Sequence, residues 1–242
     1  MTQAKEGRSL SRTFRSEKAN ICAKGSVLRS AMRLKWLGHA SVMIEASGKI
    51  IYIDPYQGEY DRKADVIIVT HGHGDHLNQP KISMARKDDT IFVVAKSCAK
   101  EISGKVIPME AGQKQRLDGI EIEAVHSYNH KRFRSPGVPF HPKGQNIAVI
   151  MRSEGKTIFH ASDTDFIPEM KTLPAIDVAL LPIDGTYTMD VPEAVEATMA
   201  IKPKTVIPIH RRESNVKDFQ RRVEAESSIK VLALSRGEEA TI

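Results

Sequence analysis

The sequence predicts one α/β domain in which β-sheets are covered by helices. Three observations carry that prediction. Short, β-branched runs crowd the chain from residue 32 onward. From about residue 145, strand-like runs alternate with helix-like ones. No internal repeat and no low-complexity linker divides residues 32–242.

The elements follow in order. "RLKWLG", "SVMIEA" and "KIIYID" (33–54) read as three short strands separated at Gly38 and Gly48. "DVIIVT" (65–70) is wholly apolar and β-branched in its middle, the pattern of a strand buried on both faces. A helix is predicted near 79–86, and "TIFVVA" (90–95) repeats the buried-strand pattern. "GIEIEAVH" (119–126) alternates and predicts a half-buried strand. An irregular stretch runs to Gly144. Strands are then expected at 145–151, 156–160, 177–181 and 205–209, and helices near 191–201 and 214–226.

Composition sets the boundaries. At 40% hydrophobic and 27% charged residues the chain has a globular composition, and no apolar run approaches a membrane span. Two cysteines, Cys22 and Cys98, cannot build a disulfide framework, which points to a reducing, cytoplasmic setting. The net charge of +6 sits mainly in residues 1–31, where seven Lys/Arg and two Glu leave +5. Residues 32–242 therefore carry only +1, which argues against an extended nucleic-acid surface. Residues 1–31 lack apolar periodicity and are expected to be a disordered basic extension, with the working domain spanning 32–242.

The chemistry concentrates in "THGHGDH" (70–76), which holds three of the nine histidines. His71 and His73, two residues apart at the mouth of a buried strand, can reach one cation. Asp75 and His76, further on, can reach a second. Gly72 and Gly74 are expected to permit unusual backbone angles and to leave room for side chains. Imidazole and carboxylate suit zinc and related divalent ions. Ligands at the carboxyl end of a strand also fit where α/β sheets bind them. His126, Asp163 and His210 each close a β-rich run, as His71 does, and are further candidates.

"HGHGDH" resembles the H-x-H-x-D-H signature of the metallo-β-lactamase superfamily. "WLGHASVMIE", "IYIDP", "FHASDTDFIPEM", "LLPIDGTYTM" and "VIPIH" resemble its UlaG-like branch of metal-dependent hydrolases. The likeness runs from about Met32 to His210. It implies an αββα sandwich with two divalent ions, zinc by preference and manganese or iron as alternatives, along one edge. Carried over by position, His71, His73 and His126 hold one metal, with His141 or His130 as rivals to His126. Asp75, His76 and His210 hold the other, and Asp163 bridges them. A hydroxide shared by the ions then attacks a carbonyl or phosphoryl centre. Asp75 is the candidate to orient that nucleophile or take its proton. Asp54 and Thr70 are expected to hold the histidines' other N–H groups, and the resemblance places His39 at the mouth of the site, where it is expected to contact substrate.

The stretch 127–143, "SYNHKRFRSPGVPFHPK", carries Lys131, Arg132, Arg134 and Lys143 with no acidic residue. Lys131, Arg134 and Lys143 are expected to capture an anionic substrate. The function that follows is hydrolysis of an ester-type bond, lactone or phosphodiester, in a small anionic molecule. A metal-dependent nuclease and a non-hydrolytic metal protein are the alternatives. Diiron relatives carry a glutamate inside the histidine cluster, where this chain has Gly72 and Gly74.

Overall fold

The computed structural model describes residues 31–242. The expectation for the basic extension therefore lies outside the described residues, except for Ala31. The chain begins with β1 (Arg33–Gly38), β2 (Ser41–Ala46), β3 (Lys49–Ile53) and β4 (Val66–Val69). After α1 (Gln79–Ala85) come β5 (Ile91–Ala95) and β6 (Lys105–Met109). Then follow β7 (Lys114–Leu117), β8 (Ile120–Ser127) and a small hairpin of β9 (Phe133–Ser135) and β10 (Val138–Pro139). β11 (Asn146–Ser153), β12 (Lys156–His160) and β13 (Val178–Pro182) lead to α2 (Val191–Ile201). β14 (Thr205–Ile209), α3 (Val216–Glu226), β15 (Lys230–Val231) and β16 (Glu239–Thr241) complete the fold.

Two seven-stranded sheets result, ordered β16-β1-β2-β3-β4-β5-β6 and β15-β14-β13-β12-β11-β8-β7. Both are mixed, with antiparallel β1–β3 and β7–β12 and parallel pairings from β3 to β6 and from β12 to β15. Side chains alternate between the two faces of a strand, and the second sheet uses that to build two cores. Ile147, Val149 and Met151 of β11, and Val178 and Leu180 of β13, face the first sheet. Ala148 and Ile150, and Ala179 and Leu181, face outward and pack with Ala194, Phe219 and Val223 of α2 and α3. This is the αββα sandwich.

The strands expected from the sequence form within a residue or two, and β4 is buried along its whole length as "VIIV" predicted. Among the described residues, the three α-helices α1, α2 and α3 start from an Asx cap. Asn78, Asp190 and Asn215 each accept a hydrogen bond from the backbone N–H three residues on. Strands β6, β7, β15 and β16 and the hairpin within 127–143 were not anticipated. They are short, and β7 and β9 carry charged residues where a periodic signal would need apolar ones. No helix of the described residues is long and apolar enough to cross a membrane.

Candidate metal centre

Parallel strands end on the same side, so β4, β12, β13 and β14 deliver their following residues to one edge of the sandwich. Thr70 and His71 follow β4, Asp163 follows β12, Asp184 follows β13 and His210 follows β14. The two sheets are tied there by a hydrogen bond from Ile147 N–H to Thr70 C=O and another from His210 N–H to His39 C=O. The backbone is strained at the same edge. His39, Asp54, Ser162, His210 and Arg212 all adopt φ between 44° and 60°, left-handed angles that non-glycine residues seldom take. Such strain persists where the surrounding structure over-determines it, and it clusters at functional sites.

The first donor group is His71, His73 and His141. His71 Nε2 and His141 Nε2 each lie 3.2 Å from His73 Nδ1. His71 presents Nε2 because its Nδ1 is 3.1 Å from the Thr70 hydroxyl. His141 presents Nε2 because Asn129 Oδ1 takes both its Nδ1–H, at 2.7 Å, and its backbone N–H. Burial pushes the His141 pKa down to about 4 and lowers that of His71 as well, so both are neutral, the form that ligates a cation.

The second group is His39, Asp75, His76 and His210. His76 Nδ1 lies 2.7 Å from buried Asp54 Oδ2, which turns Nε2 inward. The other side of Asp54 takes the Thr70 N–H at 2.8 Å, and Oδ2 also accepts the Thr70 hydroxyl at 2.7 Å. His210 Nδ1 sits 2.8 Å from buried Asp184 Oδ2, again turning Nε2 inward. Asp163 stands between the groups. Its Oδ2 is 3.3 Å from His141 Nε2 and 3.2 Å from His210 Nε2, and its Oδ1 is 3.4 Å from His76 Nε2.

Several sequence expectations are placed differently. His126 does not join the cluster. It is still inside β8, paired in register with Ile147, and it lines a separate cavity of about 260 Å³ with Val125, Phe159 and Met170. The chain must run past Ser127 and return through the 128–143 loop before a histidine arrives, and that histidine is His141. His130, its other rival, points to Asp165 at 3.8 Å. Lys131 and Lys143 are not at the site either: Lys131 pairs with Glu193 at 3.0 Å and Lys143 with Glu169 at 2.8 Å. Arg134 does line the site, in a cavity of about 270 Å³ that also contains Asp75, His141, Asp163, His210 and Arg212. His39, expected to meet substrate, instead packs its ring 3.8 Å from that of His210, with its buried Nε2 3.2 Å from Asp75. Gly72 and Gly74 do not use left-handed angles. A Cβ on Gly72 would sit 3.2 Å from that of Cys98, so a side chain there would crowd Cys98, and Gly74 has open space.

Asp165 points away from the cluster; strand alternation would put residues 163 and 165 on the same face, but β12 ends at His160 and the chain is irregular from there. It accepts from the backbone N–H groups of His130 and Lys131 and from the side chains of Asn129 and Arg132. That buried carboxylate ties down the loop that carries His141. Asn129 and Asp184 are functional residues the sequence did not reveal. Asp184 had a signal, since it follows a buried strand as Asp54 does in "YID". Asn129, in an irregular loop, had none.

The electrostatics fit a cation site. Burial alone would raise the Asp163 pKa, but the His210 and His76 charges hold it well below the usual carboxylate range. Burial opposes charge on His210, yet Asp163 and Asp184 raise its pKa to about 9, and His76 is likewise raised by Asp163 and Asp54. Protons thus stand in for positive charge among the carboxylates. His76 Nε2 and Asp163 Oδ1 are buried, face each other and make no hydrogen bond. Buried polar atoms are rarely left without a partner. A divalent cation between convergent imidazoles and carboxylates would satisfy them, so the residues fit a metal site.

Residues 33–210 match a family model described as a beta-lactamase superfamily domain. A metal-dependent hydrolase of Pelotomaculum thermopropionicum is 33% identical over 227 residues, covering 86% of this chain and 98% of its own length. A metal-dependent hydrolase of Pyrococcus abyssi is 33% identical over 234 residues, covering 86% of this chain and 98% of its own. Among solved structures, Igni18, a metallo hydrolase of Ignicoccus hospitalis, superposes with a TM-score of 0.74 at 26% identity, covering 88% of this chain and 99% of that one. A Parabacteroides distasonis protein superposes with a TM-score of 0.76 at 31% identity, over 82% of this chain and 90% of its own. With the donor set, the sandwich and these matches in agreement, the chain belongs to the metallo-β-lactamase superfamily.

Proposed function

We propose that the protein is a metal-dependent hydrolase that cleaves an ester-type bond, lactone or phosphodiester, in a small anionic substrate. The observation that carries this is Asp163 between two convergent donor groups. His71, His73 and His141 would hold one divalent ion; Asp75, His76 and His210 would hold the other, zinc by preference with manganese or iron as alternatives. Ions held there would supply Lewis-acid polarisation of the scissile group and a lowered pKa for a nearby water at neutral pH. The names of the relatives support a hydrolase.

The chain's own residues do the rest. Asp75 is half exposed to the cavity, with a side chain 42% accessible, and the His39 contact keeps its pKa low despite burial. It can hold a cation and orient the attacking water; its low pKa keeps it in the ionised form that does both. Asp54, Thr70, Asn129 and Asp184 fix which ring nitrogen each imidazole presents. The cavity, about 270 Å³, suits a small substrate.

The test is to strip the protein of metal, reload it with zinc, manganese or iron, and assay lactones, phosphodiesters and RNA with metal content measured in parallel. Metal-dependent turnover of a small lactone or phosphodiester supports the proposal. RNA as the preferred substrate, or no hydrolysis by fully loaded protein, refutes it.

A further inference from the structure

The cavity has a second feature besides the donor cluster. Arg134 reaches it from β9, and Arg212 from the segment after β14. The Arg134 guanidinium lies 5.9 Å from the Phe140 ring centre and that of Arg212 lies 5.2 Å from the Tyr187 ring centre. Phe140 and Tyr187 meet edge-to-face at 4.8 Å. Two cations and two aromatic rings therefore form one continuous wall, with the rings holding the guanidinium planes by cation–π contact.

The other cations of the 127–143 stretch are all paired. Lys131 and Arg132 pair with Glu193, Arg132 also with Asp165, and Lys143 with Glu169. Among the described residues Arg134 and Arg212 have no carboxylate within 4.0 Å. Arg212 is also held at φ 44°, a left-handed backbone that arginine does not choose unaided. Both side chains are exposed and line the same cavity, so an anionic group that enters it meets two cations with no carboxylate partner of their own. Guanidinium groups present N–H donors in a planar fork matched to carboxylate and phosphate oxygens.

We propose that Arg134 and Arg212 form a two-guanidinium clamp selecting substrates with a carboxylate or phosphate group separate from the bond that is cut. The separation follows from position: the clamp lies over Phe140 and Tyr187, whereas the scissile group must reach the ring nitrogens around Asp163. The proposal rests on the hydrolase reading above and names the part of the molecule that recognises charge.

The test uses the full chain, zinc-loaded, with three matched aryl esters: one neutral, one bearing a carboxylate, one bearing a phosphate. Arg134→Gln and Arg212→Gln should each raise KM for an anionic ester about tenfold, the scale of one charge-assisted contact. KM for the neutral ester should stay put, and the double variant should lose the preference for anions. Lys131→Gln and Lys143→Gln should leave that preference intact. The larger loss, on carboxylate or on phosphate, identifies which group the clamp takes. Equal losses on neutral and anionic esters, or none on the anionic ones, overturn the clamp.

A second readout separates this from the hydrolase reading. In metal-free protein, inorganic phosphate should shift the Nε–H resonances of Arg134 and Arg212 saturably. If loaded protein cleaves no ester yet these resonances titrate, the hydrolase reading fails and the clamp stands. If they do not move, the clamp fails whatever the activity.

Discussion

Replacing Asp54 by asparagine isolates what a buried carboxylate does for an imidazole it touches. Asp54 accepts from Thr70 N–H at 2.8 Å and Thr70 Oγ1–H at 2.7 Å, and lies 2.7 Å from His76 Nδ1. Asparagine keeps the shape but offers one acceptor and one donor. If its oxygen stays on the Thr70 N–H, its NH2 faces His76. The ring must then accept at Nδ1 and carry its proton on Nε2, the nitrogen needed for a cation. If the amide flips, the buried Thr70 N–H faces another donor. Losing a support of this kind typically weakens metal affinity 10–100-fold, or about 1.4–2.8 kcal/mol. Asp54→Asn should lose one ion about that much more readily to a chromogenic chelator, while the ion at His71, His73 and His141 keeps its affinity more nearly. Unchanged affinity for both ions would show that Asp54 does not set the His76 tautomer.

Three other outcomes follow from the same geometry. His141→Ala should lower bound metal by one ion, whereas His126→Ala should leave the count unchanged; elemental analysis of both variants decides, and the reverse pattern would restore His126 as ligand. Asp165→Ala leaves Arg132 buried with one of its carboxylates gone and frees Asn129, so stability should fall by about 3 kcal/mol in denaturant melts; a change below about 1 kcal/mol would mean the loop is held otherwise. In metal-free protein, the raised His210 pKa adds stability that is complete below about 6.5 and lost as pH climbs through about 9. The depressed His141 pKa has the opposite sign: that contribution is lost as pH falls from 6.5 toward about 4. Thermal stability without metal should therefore peak near neutrality, and a flat profile from pH 6.5 to 9 would contradict the protonation scheme.

Much of this was legible in the sequence because it is periodic or clustered. β4 announces itself as "VIIV", and β11 alternates Ile147, Val149 and Met151 against Ala148 and Ile150. Three histidines in "HGHGDH" can hardly avoid one another, and Asp163 and His210 lie just beyond strand ends that the pattern predicts. His126 misled because it also closes a β-rich run, but β8 carries it only as far as Ile147 on the neighbouring strand. The loop 128–143 has no period to read. Its fold depends on Asp165, 35 residues beyond His130 in the chain, accepting from His130 and Lys131 backbone and Arg132 side chain. Charge in that loop was visible, but not which cations would be claimed by Glu169 and Glu193. Only contacts distant in sequence separate Lys131 and Lys143, which are paired, from Arg134, which lines the cavity.

The central claim is a pair of cations held on either side of Asp163. Anomalous diffraction from crystals of the zinc-loaded protein, collected across the zinc absorption edge, tests it most directly. Two peaks are expected, one among His71, His73 and His141 and one among Asp75, His76 and His210, with an Asp163 oxygen toward each. A single peak, or any peak coordinated by His126, would contradict the account.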